Sequence, residues 1–333
     1  MKKFLCVFTI LSVLLLFCAC GKTAEIPVPT QSPHPAATSA PTPSPSPEPT
    51  PAPTERPLLE PVLTNDFIPA DLFAPATEQG SIETIEYTTL NYCSADQEEV
   101  TKCMTVYLPY GYDSSRQYDL LIMMHISGCN ENFWLKGSFD YRLPGEETAA
   151  VRITDLADNM IERGLCRPLI IAAPSGYINE AAIYEHDSER DFNQFALELR
   201  NDILPCLNAR YSLYNNRDHI GFYGASFGAY MAYRSVLSRN FDNTAWFVLT
   251  GGGRLESDWL KEKWQSDGTD GLPLKCLLLT EGEYDDRGPV ELGSYDMQAN
   301  FDNVIYNMIN GTGHDCNEWI AALYNALQLF FRE

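Results

Sequence analysis

The chain has 333 residues, 45% of them hydrophobic and 20% charged, with a formal net charge of −22. These proportions are those of a globular protein, and the length suits one large domain or two small ones. So acidic a surface repels a phosphate backbone, which argues against a nucleic acid partner.

Residues 1–20 read as an export signal. Lys2 and Lys3 precede an apolar run from Phe4 to Phe17, and the small residues of Cys18-Ala19-Cys20-Gly21 follow. The segment is too short and wrongly flanked for a membrane-spanning helix. Its end resembles a bacterial lipoprotein signal, with Cys20 as the lipidated residue. Two acyl chains on Cys20 would hold the protein at the outer face of the cell membrane; without them the protein is simply secreted. Residues 21–64 read as a linker, since thirteen of the 22 prolines lie between Pro27 and Pro61 among Thr, Ser and Ala. Such a composition buries no core and favours extended polyproline II, reaching on the order of 120 Å. That suits a tether.

The body that follows, residues 65–333, alternates strand and helix. Residues 82–92 and 100–108 form an expected hairpin, and Leu120 to Ile126 is a strand buried on both faces. A helix is expected over 153–163, a strand over 169–173 and a long amphipathic helix over 191–211. Strand 220–224 leads into helix 227–237. Strands at 245–250, 274–280 and 303–309 precede a terminal helix over 317–331. This alternation implies one mainly parallel sheet with helices on both faces, whose active site lies beyond the carboxyl ends of the strands. Seven cysteines remain in this body (93, 103, 129, 166, 206, 276 and 316). Their odd number leaves at least one free thiol. Cys93 and Cys103 are placed either for a hairpin disulfide or as two unpaired buried thiols. No spacing suggests a metal site.

Gly224-Ala225-Ser226-Phe227-Gly228 lies between the strand Ile220-Gly221-Phe222-Tyr223 and a helix. A strand, a tight turn and a helix make a nucleophile elbow, which exposes the serine hydroxyl at the helix N-terminus. A serine is a weak nucleophile near neutrality and needs a base. Of the five histidines only His314 follows Ser226, in a loop just before the last helix. The acid belongs between them, after a strand, where Glu281, Glu283, Asp285 and Asp286 compete; Asp285 is preferred, then Asp286. An oxyanion hole needs two N–H donors. One is expected from Phe227, the other from Ser127, with Ile126 as the alternative. His125 reads as structural.

Together with Tyr107-Leu108-Pro109-Tyr110-Gly111-Tyr112, Asn132-Phe133-Trp134 and His314-Asp315-Cys316-Asn317-Glu318-Trp319, these motifs resemble the esterase D-like family of α/β hydrolases. That family includes the feruloyl and acetyl xylan esterases of carbohydrate esterase family one, with siderophore esterases and mycolyltransferases as relatives. The resemblance covers about residues 80–331. It implies an α/β-hydrolase fold, no cofactor, and a triad of Ser226, Asp285 and His314. Two departures stand out: His125-Ile126 where the family has His-Gly, and Phe227 and Ala229 in an elbow that usually reads Gly-x-Ser-Met-Gly-Gly. Both bear on the acyl group accepted. The expected activity is hydrolysis of feruloyl or acetyl esters on plant cell-wall polysaccharide, with Ile126 near the substrate and Phe133, Trp134, Tyr184 and Trp319 either stacking on a sugar or phenolic ring or, for most of them, belonging to the core. The alternatives are an esterase or acyltransferase acting on a siderophore, lipid or envelope ester, and a non-catalytic glycan-binding module on an esterase scaffold.

Overall fold

The computed structural model describes residues 56–143, 145, 148–179, 188–252, 255–286 and 290–332. The chain divides into two units, Met1–Pro49 and Thr50–Glu333, and every described residue belongs to the second. The expected signal, Cys20, most of the linker and Tyr184 lie outside the described residues. Among those described, no helix is long and apolar enough to cross a membrane.

Eight strands form one sheet in the order β1-β2-β6-β3-β7-β8-β9-β10. The antiparallel edge is the hairpin of β1 (Ser81–Leu90) and β2 (Glu99–Leu108), paired from Ser81–Leu108 to Leu90–Glu99. β2 runs antiparallel to β6 (Leu169–Pro174). Beyond it β3 (Asp119–Met124), β7 (Ile220–Ala225), β8 (Trp246–Thr250), β9 (Cys276–Gly282) and β10 (Val304–Ile309) are all parallel. A separate small ribbon pairs β4 (Phe139–Arg142) with β5 (Thr148–Val151).

The central strands are continuous apolar runs because both their faces are covered. Leu120, Ile122 and Met124 of β3 point into one core layer and Leu121 and Met123 into the other, the period-two alternation of a strand. The first layer lies under α3 (Ser188–Glu198), α4 (Leu204–Arg210), α5 (Phe227–Met231), α6 (Ser257–Asp267) and α7 (Val290–Asn300). The second lies under α1 (Phe133–Lys136), α2 (Ile153–Glu162) and α8 (Cys316–Leu329). The long helix expected over 191–211 is α3 and α4 joined through a π-helical segment, Leu199–Ile203. Leu197, an apolar residue of α3, is 41% exposed. It sits two residues beyond buried Phe195 and so on the opposite side of the helix.

The thiols of Cys93 and Cys103 are both free. Cys103 lies opposite Glu86 within the hairpin, while the Cys93 thiol is 3.4 Å from the carbonyl of Arg190 on another element. Of the two expectations, unpaired thiols hold, half-buried rather than buried.

The linker boundary expected at residue 64 falls inside a docked segment. The Leu59 amide donates to the Gly164 carbonyl at 2.9 Å. Gln328 and Asn325, three residues apart on one face of α8, then hold the backbone of Val62 and Thr64 as a neighbouring strand would. The Val62 N–H donates to Gln328 Oε1 at 3.0 Å, and Gln328 Nε2 donates to the Val62 carbonyl at 3.1 Å. The Thr64 N–H donates to Asn325 Oδ1 at 2.8 Å, and Asn325 Nδ2 donates to the Thr64 carbonyl at 2.7 Å. Proline content along 21–64 carries no sign of this, because the recognising amides lie far away in sequence. Asn325 is fully buried, so Asn325→Leu leaves both Thr64 groups unpaired. The expected loss is about 2 kcal/mol of unfolding free energy, read from urea denaturation; an unchanged midpoint would mean the segment is not docked in solution.

Candidate active site

β7 enters the site as a fully buried strand and stops at Ser226, which has φ 53° and ψ −119°. A non-glycine residue held there carries strain of order 1–3 kcal/mol. The surroundings enforce it. A Cβ on Gly224 would sit 2.0 Å from the Gly228 carbonyl oxygen, and one on Gly228 would sit 2.7 Å from the Met124 carbonyl oxygen. Both flanking glycines are therefore required by close approach of backbone to backbone: α5 to its own strand, and the elbow to the end of β3. The Ser226 N–H donates to the Thr250 carbonyl at 2.9 Å, which ties the turn to the end of β8.

Two more loops at this edge complete a chain of hydrogen bonds. Ser226 Oγ is 2.9 Å from His314 Nε2, and His314 Nδ1 is 2.9 Å from Asp285 Oδ2. With Nδ1 protonated toward the carboxylate, Nε2 presents its lone pair to the serine hydroxyl. The Asp285 side chain is 1% exposed and that of His314 13%. The four competing carboxylates are thereby sorted. Glu281 is buried and accepts from the Tyr306 hydroxyl, Glu283 accepts from the Gly311 N–H at 2.8 Å, and Asp286 is exposed. Asp315 caps α8 by accepting from the Asn317 N–H at 2.8 Å, so the residue after His314 anchors the start of that helix. The Trp319 ring stands edge-on to the imidazole at 5.3 Å.

The loop after β3 is held by His125, which is 1% exposed. The Gly176 N–H donates to its Nε2 at 2.8 Å. That nitrogen must be bare, so the proton sits on Nδ1 and is donated to the Ile126 carbonyl at 2.8 Å. Burial pushes the imidazole down to about 4, and it stays neutral. In a trans peptide the carbonyl of Ile126 and the N–H of Ser127 point in opposite directions. Clamping the first therefore orients the second. Ile126 is half-buried and packs on the core layer beneath α8, whereas Ser127 is exposed. Beside the elbow Phe227 and Tyr177 stack at 5.1 Å with their planes 12° apart.

Trp134 and Trp319 are not available to stack on a substrate. They are 1% and 5% exposed, and Trp134 Nε1 donates to the Met124 carbonyl at 2.8 Å. Both are core residues that back the site. Phe133 is half-buried and borders an open cleft of about 690 Å³ lined also by Cys129, Asn130, Asp315 and Asn317. This cleft flanks the loops that carry His314 and Ser127. A cleft of about 430 Å³ around Asp119 and Arg167 lies at the opposite end of the strands and contains no residue of the Ser226 constellation. Sequence reasoning missed Gly176, Tyr177 and Glu318. The first two follow β6 with nothing in their local pattern to mark them. Glu318 falls at the third position of α8 behind Asp315, where Asp-x-x-Glu reads as a helix capping box. Among the described residues one group of three potential metal ligands occurs, Asp285, His314 and Glu318, with ligand atoms within 4.8 Å of one another.

No protein-family model matches the chain. Among curated proteins it is similar to endo-1,4-beta-xylanase Y of Acetivibrio thermocellus, 26% identical over 194 residues, which is 55% of this chain. The chain spans about 15% of the length of that relative. Among solved structures it resembles the feruloyl esterase module from Clostridium thermocellum, seen in complex with sinapinate. The TM-score is 0.66 at 22% identity, covering 84% of this chain and 96% of the module. It also resembles a ferulic acid esterase of carbohydrate esterase family one from the anaerobic fungus Anaeromyces mucronatus. There the TM-score is 0.63 at 19% identity, covering 82% of this chain and 98% of the other. The chain shares the α/β-hydrolase fold of these esterases, with a mostly parallel sheet between two layers of helices.

Proposed function

We propose that the chain is an exported serine esterase that hydrolyses feruloyl or acetyl esters on plant cell-wall polysaccharide. One observation carries the reading: an unbroken hydrogen-bonded chain from Ser226 through His314 to Asp285 at the carboxyl edge of the sheet. Ser226 Oγ attacks the ester carbonyl while His314 Nε2 takes the hydroxyl proton. The imidazolium is stabilised by Asp285, whose buried carboxylate also fixes the tautomer. His314 returns the proton to the leaving alcohol oxygen. Water, deprotonated by the same nitrogen, then cleaves the acyl-enzyme and restores Ser226. The tetrahedral oxyanion is held by the N–H of Phe227 and a second N–H, that of Ser127 with Ile126 as the alternative. His125 supports the second donor by fixing the peptide that carries it. No cofactor enters these steps. The likeness to proteins named as feruloyl esterases supports the substrate class. The signal with Cys20 and the proline-rich tether support display of the domain outside the cell on a lipid anchor, within reach of an insoluble polymer.

The test is turnover of p-nitrophenyl acetate, methyl ferulate and acetylated xylan by the wild type and Ser226→Ala. Loss of at least about 10³-fold is expected on every ester the wild type cleaves; an undiminished rate would remove Ser226 from the chemistry. Preference for methyl ferulate over p-nitrophenyl acetate identifies the feruloyl branch.

The neutral clamp at His125 has a consequence for stability. The unfolded chain takes up the imidazole proton below pH 6.5 and the folded chain only near pH 4. Stability therefore falls as pH drops through that window. Between pH 7 and 4 the wild type is expected to lose on the order of 3 kcal/mol more than His125→Gln, measured by urea unfolding at each pH. Equal pH slopes would mean that the ring is not held neutral.

A further inference from the structure

Glu318 is completely buried, yet it lies in the first turn of α8, where a carboxylate ordinarily faces the helix amides. It does not close the capping box that the Asp-x-x-Glu spacing offers. The Asp315 N–H donates instead to the Gly313 carbonyl, and Glu318 turns inward beneath the triad. Thr250, at the end of β8, donates its hydroxyl to Glu318 Oε1 at 2.6 Å. The other oxygen, Oε2, is buried without a donor among the described residues. The Glu318 carboxylate neighbours the carboxylate of Asp285 and the imidazole of His314, one ligand atom of each lying within 4.8 Å of the others.

Two ionised carboxylates cannot share such a place. Each would be an acceptor facing an acceptor, both out of water. Apart from Thr250, whose hydroxyl favours the charged form through Oε1, the groups facing Glu318 do nothing to relieve this. They are Asp285 from the loop after β9, His314 and Asp315 from the loop before α8, and Tyr223 from β7, whose hydroxyl is spent on the Trp319 carbonyl at 2.7 Å. Burial, with repulsion from Asp285, the hydrogen bond between the two carboxyl groups and repulsion from Asp315, outweighs the Thr250 hydrogen bond and raises the Glu318 carboxyl well above its ordinary value. A proton on Oε2 resolves all of it. Oε1 becomes the carbonyl oxygen that accepts from Thr250, and Oε2–H finds its acceptor in Asp285.

We propose that Glu318 is a positioning residue, held as the neutral carboxylic acid, which donates a hydrogen bond to Asp285 and fixes the carboxylate that faces His314. The proposal rests on the triad reading of Ser226, His314 and Asp285. The proton stays on Glu318 throughout turnover. Its effect is to spread part of the Asp285 charge away from the imidazole and to lock the rotamer that meets Nδ1.

Two variants of the full chain separate this from a structural role. Glu318→Leu removes the donor. Its kcat is expected to fall at least about tenfold with KM little changed, and the acid limb of its pH–rate profile to move up by about one unit. The concentrated charge on Asp285 makes the imidazole hold its proton to higher pH. Glu318→Gln keeps a donor toward Asp285 and an acceptor toward Thr250 without an ionisable proton. It is expected to recover kcat to within about threefold and to leave the acid limb in place. If both variants melt lower but share the wild-type acid limb, Glu318 only packs and the proposal fails. A second readout needs no turnover. Infrared spectra at neutral pH should show a protonated carboxyl band in the wild type and in Ser226→Ala that is missing in Glu318→Gln. Absence of that band from the wild type overturns the proposal, whereas an active Ser226→Ala overturns the triad alone and leaves the band to be judged separately. Stoichiometric binding of zinc ion by the wild type, lost in Glu318→Gln, would make the cluster a metal site and would also overturn it.

Discussion

The site depends on how closely three pieces of backbone approach at one point. The end of β3, the end of β7 and the first turn of α5 meet with no room for a side chain at Gly224 or Gly228. Because the two glycines let strand and helix close on each other, the residue between them is forced into a left-handed, strained conformation and its side chain is turned out of the sheet. The other ends of the parallel strands arrive at the same edge by the geometry of the sheet itself. Parallel strands joined by right-handed crossovers deliver every loop that follows a strand to one side. Ser226, Gly251, Asp285 and His314 are therefore neighbours although as many as 88 positions separate Ser226 from its histidine.

The polar groups gathered there are buried, and burial decides their states. A histidine with an amide pointing at one nitrogen and a carbonyl at the other has one tautomer available, and His125 is held in it. The Asp285 carboxylate is nearly inaccessible to water, so it must be charged against a partner or lose its charge. His314 on one side and a protonated Glu318 on the other would let it keep the charge. Thr250 serves both layers of this arrangement: its carbonyl receives the amide of Ser226 and its hydroxyl addresses Glu318. One residue at a strand end thus couples the elbow to the carboxyl pair.

Much of this was readable from the sequence, for reasons that differ by element. Strands β3, β6, β7, β8 and β9 announce themselves as apolar runs because both faces are covered, and the elbow announces itself because its glycines are required locally. His314 followed from chain order, and Asp285 from chain order with a resemblance. The ribbon of β4 and β5 and helices α6 and α7 escaped, since short or weakly amphipathic segments carry little periodicity. Trp134 and Trp319 were expected near substrate because an aromatic beside a motif reads the same whether it faces the cleft or the core. Only their exposures, 1% and 5%, decide for the core. The docking of residues 59–64 escaped because its recognition groups, Asn325 and Gln328, sit on the last helix and look like ordinary polar residues there.

Glu318 is the sharper case, since its local sequence points to the wrong partner. Behind Asp315 it has the spacing of a capping box, a motif that places a carboxylate at the helix surface, charged and favoured by the helix dipole. The fold overrides that local preference. α8 starts at the site edge, with its N-cap on the loop that carries His314, so its first turn packs against the ends of β8 and β9 instead of facing solvent. A side chain at the third helical position is then directed at Thr250 and Asp285, and the charge that would have capped the helix becomes too costly to keep. A group that sequence alone would leave as a solvated helix cap is turned by tertiary packing into a neutral donor, and that change of state follows from the placement of the helix terminus.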